Sequence, residues 1–191
     1  MKAVLEEFKR FNSQLGGLDL ALIQPILTRH EYSANYQLLP PGHTCRFLFF
    51  LEKGLIRCHT FEDDRTLWYE FEGSFFTSYA SFASQRPTTD CLTLLEPSVV
   101  YALHYDHLNQ LYQQSHAWAN WGRAFIEHWY LSIENLYQSL LYKNASERYE
   151  TLLALRPDIT QRVPLHHIAS FLGMSPVSLS RIRAGKQQKR S

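Results

Sequence analysis

Near residue 105 the apolar residues change their spacing, and this change restricts the fold more than any other feature of the chain. Between Tyr32 and Leu103 they come in short β-branched and aromatic runs at 36–39, 47–51, 55–60, 66–71, 92–95 and 98–103. Pro40-Pro41-Gly42, Glu52-Lys53-Gly54, Glu62-Asp63-Asp64, Gly73 and Glu96-Pro97 lie between the runs. Runs of about five or six residues with a turn signal roughly every ten read as an antiparallel roll or sandwich. From Asp106 onward turn residues are scarce and the apolar steps become three and four. Trp118, Trp121, Phe125, Trp129, Ile133, Leu136 and Leu140 form one stripe along a helix of about six turns, widened by Ile126, Tyr130 and Tyr137. So much apolar surface has to be covered, either by the roll or by the same helix of a second copy. We read it as a dimer seam that also touches the roll.

Before the roll, residues 1 to about 30 read as helical. Val4, Leu5, Phe8, Phe11 and Leu15 recur at helical spacing, Gly16-Gly17 interrupts them, and 18–27 resumes the pattern. A chain of 191 residues with 45% hydrophobic, 14% aromatic and 19% charged residues can bury a core and is neither disordered nor of low complexity. No apolar run approaches the ~20 residues that span a bilayer, and MKAVLEEFKRF has no apolar signal core. The expectation is a cytoplasmic protein with no membrane association. Cys45, Cys58 and Cys91 are odd in number and form no CxxC pair, which suggests neither a disulfide framework nor a zinc site.

The net charge of +1 conceals an asymmetry. Residues 1–142 hold ten basic and fifteen acidic side chains, whereas 143–191 hold nine basic and three acidic ones. Arg181, Arg183, Lys186, Lys189 and Arg190 crowd the last eleven positions without an acid among them, the footprint of an end that meets a polyanion. Just before them, 163–172 reads as a short helix ended by Gly173. Ser175 then serves as the N-cap of a second helix, with Pro176 in its first turn. Ala169 and Gly173 supply the small residue at the helix crossing and the left-handed turn of a helix-turn-helix, and Leu179 and Ile182 are placed to pack the second helix back on the first. Its outer face then offers Ser175, Ser178, Arg181 and Arg183 to phosphates and base edges.

A roll, a long apolar helix and a C-terminal helix-turn-helix, in that order, resemble the CRP/FNR family of bacterial transcription regulators over nearly the whole chain. The resemblance is carried by LLPPGHTCRFLFFLEKGLIRCHT, LWYEFEGSFFTSYASF, EPSVVYALHYDHL and, most specifically, IASFLGMSPVSLSRIR at 168–183. It implies a homodimer paired through its long helices, a roll that senses a signal, double-stranded DNA as partner, and RNA polymerase as a further candidate partner. In members that bind cyclic AMP, a Gly-Glu pair follows the glycine matching Gly73 and an Arg-Ser or Arg-Thr pair comes later. Here Thr77-Ser78 and Thr88-Thr89 stand at those points, with Arg86 two residues earlier. Burying a cyclic phosphate without its arginine forfeits a charge-assisted bond of about 1.5–3 kcal/mol. The expected effector pocket around Gly73, Thr77, Ser78, Arg86, Thr88 and Thr89 is therefore not one for cyclic AMP, and no cofactor is expected. Three scattered cysteines do not suit an iron-sulfur cluster, and the dispersed histidines suggest no metal site.

The reading helix departs from the family as well. Where relatives that read a G-rich half-site carry an Arg-Glu pair and a further Arg, this chain has Pro176, Val177 and Arg181, so Arg181 alone keeps a guanidinium for guanine. Ser175 and Ser178 then fall to phosphates, Val177 to a thymine methyl, and Arg183 and Lys186 to backbone positioning. Two rivals stand beside the regulator. A cupin-like metal- or small-molecule-binding roll requires two histidines one residue apart, and no HxH occurs. A protein-interaction module with a basic tail requires salt-sensitive binding that ignores DNA sequence. With no GxSxG, HExxH or Gly-rich phosphate loop, the chain is not read as an enzyme. The expected architecture is α+β: a cyclic-nucleotide-binding-like antiparallel β-roll (jelly-roll) over 1–105, a dimerisation helix over 106–142 marked by Trp118, Trp121, Phe125, Trp129, Ile133 and Leu136, and an all-α helix-turn-helix domain over 143–191.

Overall fold

A computed structural model describes residues 1–188. Helices α1 (Lys2–Phe11) and α2 (Gly17–Ile23) and a 3-10 turn (Gln24–Ile26) precede strand β1 (Leu27–Tyr32). The helical pattern expected to run to residue 27 stops early, because Pro25 has no N–H to continue it. The remaining strands are β2 (Gln37–Leu39), β3 (Phe47–Lys53), β4 (Leu55–Thr60), β5 (Thr66–Phe71), β6 (Ser74–Phe76), β7 (Asp90–Leu94) and β8 (Ser98–His104), with helix α3 (Tyr79–Ser84) between β6 and β7. They form two antiparallel four-stranded sheets, ordered β1-β8-β3-β6 and β2-β7-β4-β5. Sequence patterning showed neither β1 nor the three-residue β6. β1 pairs with β8 from Leu27 opposite Leu103 to Tyr32 opposite Ser98, but its middle carries Arg29, His30 and Glu31 and has no apolar alternation.

Strand β3 is apolar on consecutive residues because both of its faces are covered. Leu48, Phe49, Phe50 and Leu51 are all buried. Helices follow the roll: α4 (Tyr105–Gln114), α5 (His116–Tyr142), α6 (Ala145–Leu155), α7 (Ile159–Arg162), α8 (Leu165–Phe171) and α9 (Pro176–Gln188). The segment 106–142, expected as one helix, is thus two. Ser115 in extended conformation ends α4 and caps α5 through its side chain, which accepts from the Trp118 N–H, a hydrogen bond that helix interiors do not need and helix starts do.

The first half of α5 belongs to the core. The Phe8 ring of α1 lies 4.6 Å from Phe75, 5.1 Å from Trp118 and 5.0 Å from Trp121, and the Trp118 indole donates to the Asp19 carbonyl at 3.2 Å. Trp118 and Trp121 are fully buried and Phe125 nearly so. These three, expected at a dimer seam, are used up within the chain, since α1 supplies the aromatic cover that no sequence pattern assigned to it. The second half of α5 is different: Tyr130, Leu131, Ile133, Tyr137, Leu140 and Leu141 are exposed. Among the described residues no helix is long and apolar enough to cross a membrane.

Candidate functional site

The C-terminal helices have a core of their own that takes in two buried residues of the roll. Tyr149, Ile159, Val163, Ile168, Ala169, Leu172 and Leu179 pack together with Leu55 of β4 and Phe71 of β5. α8 and α9 are joined at Gly173, whose φ of +65° is a left-handed turn that a β-carbon disfavours. The Met174 N–H donates to the Ala169 carbonyl at 3.0 Å. Ala169 is wholly buried at the crossing and Leu179 is wholly buried beneath α9. Ser175 caps α9, accepting from the Ser178 N–H at 3.1 Å, and its hydroxyl meets that of Ser178 at 2.9 Å. Ser175, Pro176, Val177, Ser178 and Arg181 are exposed and Arg183 is half-buried. Val177, Ser178 and Arg181 share one exposed face of α9, with Ser175 and Pro176 at its N-terminal end and Arg183 on another side. The side chain of Lys186, and both Lys189 and Arg190, lie outside the described residues.

Polar contacts hold this helical unit against the roll. Arg162 of α7 donates to Glu72 at 2.5 and 3.1 Å, to the Gly54 carbonyl at 3.1 Å and to Glu96. Arg57, buried on β4, donates to Thr66 Oγ1 and Asp64 Oδ1, both at 2.8 Å. The Thr66 N–H donates to Ser170 Oγ at 3.0 Å, and its hydroxyl to the His167 carbonyl at 3.3 Å. Burial, together with the neighbouring Arg57 and His166, pushes the His167 imidazole down to about 4, so it is neutral at pH 7. Nothing in the sequence marked Arg162 or His167, because their partners on the roll lie far away along the chain.

The six residues expected to form an effector pocket lie on either side of β6 and in the segment leading into β7. Gly73 makes the turn into β6 with φ of +86°. Thr77 donates to the Phe47 carbonyl at 2.9 Å, and Thr88 accepts from the Asp90 N–H at 3.0 Å. Arg86 and Thr89 are exposed. Thr77 lines a cavity of about 550 Å³, and Ser78 lines another, of about 680 Å³, bounded by β5, the start of α3, α5 and the C-terminal helices. Its walls include Trp68, Glu70, Tyr79, Asp90, Trp129 and Arg156. Trp68 and Glu70 share a face of β5 through the two-residue period of a strand; an acid flanked by aromatics in LWYEF was the available clue. Among the described residues no group of three or more His, Cys, Asp or Glu is placed to hold a metal ion.

No protein-family model matches this chain, and no curated protein does. Solved structures do. A CRP/FNR-family transcriptional regulator from Eubacterium rectale aligns with a TM-score of 0.73 and 14% identity, over 95% of this chain and 88% of that one. The c-di-GMP responsive global regulator CLP of Xanthomonas campestris aligns at 0.68 and 17%, over 91% and 93%. A cyclic nucleotide-binding domain from Methylobacillus flagellatus aligns at 0.65 and 14%, over 75% and 83%.

Proposed function

The chain shares the cyclic-nucleotide-binding fold of CRP/FNR regulators, and from that fold and the exposed face of α9 we propose that it is a homodimeric, DNA-binding transcription regulator with a sensing roll. The exposed face of α9 carries the proposal. Leu179 is buried beneath a helix whose outer surface shows Ser175, Val177, Ser178 and Arg181, the arrangement that brings a helix N-terminus and a guanidinium to a major groove. The domains are the roll over 1–105, the α4–α5 segment over 106–142 and the DNA-binding unit from 143. Pairing is assigned to the outer half of α5, where Tyr130, Ile133, Tyr137 and Leu140 follow the 3-4-3 spacing of a coiled-coil seam. The sensed molecule is not cyclic AMP, and the protein is not an enzyme. RNA polymerase is the candidate partner once DNA is bound.

The test is equilibrium binding of the purified protein to DNA duplexes across a range of salt. Arg183→Ala is expected to weaken binding to all duplexes alike and to flatten the salt slope by about one unit. Arg181→Ala is expected to weaken binding mainly to preferred sequences. Affinity that falls with salt but is the same for every duplex would instead favour an interaction module with a basic end.

A further inference from the structure

The cavity at the junction of β5, α3 and α5 has a chemical character of its own, and we propose that it takes a small aromatic cation, a flat ring bearing a protonated amine. This inference rests on the reading of the roll as a sensor and names the class of molecule sensed. At about 680 Å³ the cavity has the size of small-molecule sites, which run about 300–1,000 Å³. Trp68, Tyr79, Trp129 and Phe171 contribute ring surface, and ring faces attract cations as well as stacking on flat partners.

Its charged groups decide the sign. Glu70 and Asp90 bring two carboxyl groups to the walls, and Arg156 is the one basic side chain among the described lining residues. That guanidinium is already engaged: it lies 3.4 Å over the Phe71 ring, 3.5 Å from Asp158 and 4.0 Å from Glu72. Its Nε makes no hydrogen bond, but an incoming phosphate would still meet two acids against this one base. Glu70 is half-buried, and the protein around it raises its carboxyl to about 7 despite a hydrogen bond from Ser74 and the attraction of Arg156. A bound ammonium would restore its charge at neutral pH. A separate observation also points to a ligand. Ser78, only 3% exposed on the cavity wall, has an Oγ with no hydrogen-bond partner, and buried hydroxyls are otherwise almost always paired.

Three probes sharing one ring system test the proposal on the full chain: 1-naphthylmethylammonium, 1-naphthylmethanol and 1-naphthoate, with cyclic AMP as a second anion, followed by tryptophan fluorescence and calorimetry. The ammonium is expected to bind at least about tenfold more tightly than the naphthoate, the size of effect a charge-assisted hydrogen bond produces. Glu70→Gln is expected to remove most of that preference while leaving the alcohol unchanged. Asp90→Asn gives a second reading should the first variant fail to fold. Binding of all three probes without preference, or preference for either anion, overturns the ligand class and leaves the sensor reading standing. No binding by any probe at millimolar concentration overturns both, and the DNA titrations above are independent of either result.

Discussion

Arg162 of α7 and Glu72, in the turn between β5 and β6, form a two-point ion pair across 90 residues of sequence, Nη2 to Oε1 at 2.5 Å and Nη1 to Oε2 at 3.1 Å. The same guanidinium reaches Glu96, Asp158 and the Gly54 carbonyl, so one side chain ties α7 to three groups of the roll. Arg162→Ala would leave Glu96 without its base, and Glu72 and Asp158 with Arg156 alone, at 4.0 and 3.5 Å. We expect a cost of about 1–3 kcal/mol. Faster amide exchange in α7 and α8, with exchange in the roll strands unaltered, would show that the contact docks the helices rather than supporting the fold as a whole.

The seam between α8 and the roll weakens in acid. The His167 imidazole is depressed to about 4, first by burial and then by Arg57 and His166; an unfolded histidine titrates near 6.5. Between those values the unfolded chain binds the proton and the folded chain does not. The contribution is therefore complete above about pH 6.5 and is lost as pH falls from there toward 4. His59 is held down in the same way, by burial and Arg57. The carboxyls of Glu72 and Asp158 are depressed below their ordinary 4.5 and 3.8, with Arg162 hydrogen-bonding both, so their contribution is present above those values and disappears at still lower pH. Urea midpoints are expected to fall between pH 7 and pH 5, and to fall less in His167→Gln.

Gly54 separates β3 from β4 at φ of +112°, and a β-carbon there would come within 2.0 Å of Ser98 Oγ. Left-handed strain and overpacking each cost about 1–3 kcal/mol. Gly54→Ala should lower the melting temperature by several degrees, at about 2–4 °C per kcal/mol for a chain of this size. Gly73→Ala is the control: φ is +86° there but nothing lies within 4 Å of the added carbon, so only the backbone strain is incurred. Equal effects at the two positions would contradict the close approach at Ser98.

Helix α5 separates into a core half and an exposed half, and substitutions should separate them. Trp118→Ala removes a fully buried indole packed on Phe8 and is expected to cost about 3–5 kcal/mol of fold stability. Ile133→Glu with Tyr137→Glu alters only exposed positions. Circular dichroism should stay native while sedimentation shifts from dimer to monomer. A dimer that survives both changes would place the interface elsewhere.

The roll was legible wherever a strand alternates or a turn demands glycine: Leu55–Thr60 and Thr66–Phe71 begin and end where the sequence pattern puts them, and Gly173 and Ala169 occupy the turn and the crossing they were read for. The α8–α9 pair could be read because its signals lie within some twenty residues of one another. The cavity could not. Position relative to a family cassette locates Thr77 but not its direction, and its hydroxyl is spent on the Phe47 carbonyl. Glu70 and Trp129 face one cavity from β5 and α5, a long-range arrangement without a local pattern. The aromatic stripe misled for the same reason, since Phe8 and Trp121 meet across the fold.

The most direct measurement is selection of bound sequences from a random DNA pool by the purified protein, repeated with Arg181→Ala. The account predicts a two-fold symmetric motif, as two copies of α9 in successive major grooves require, and one relaxed position per half-site in the variant. Recovery of no preferred sequence, or the same motif with the same stringency from the variant, would contradict a reading of DNA by α9.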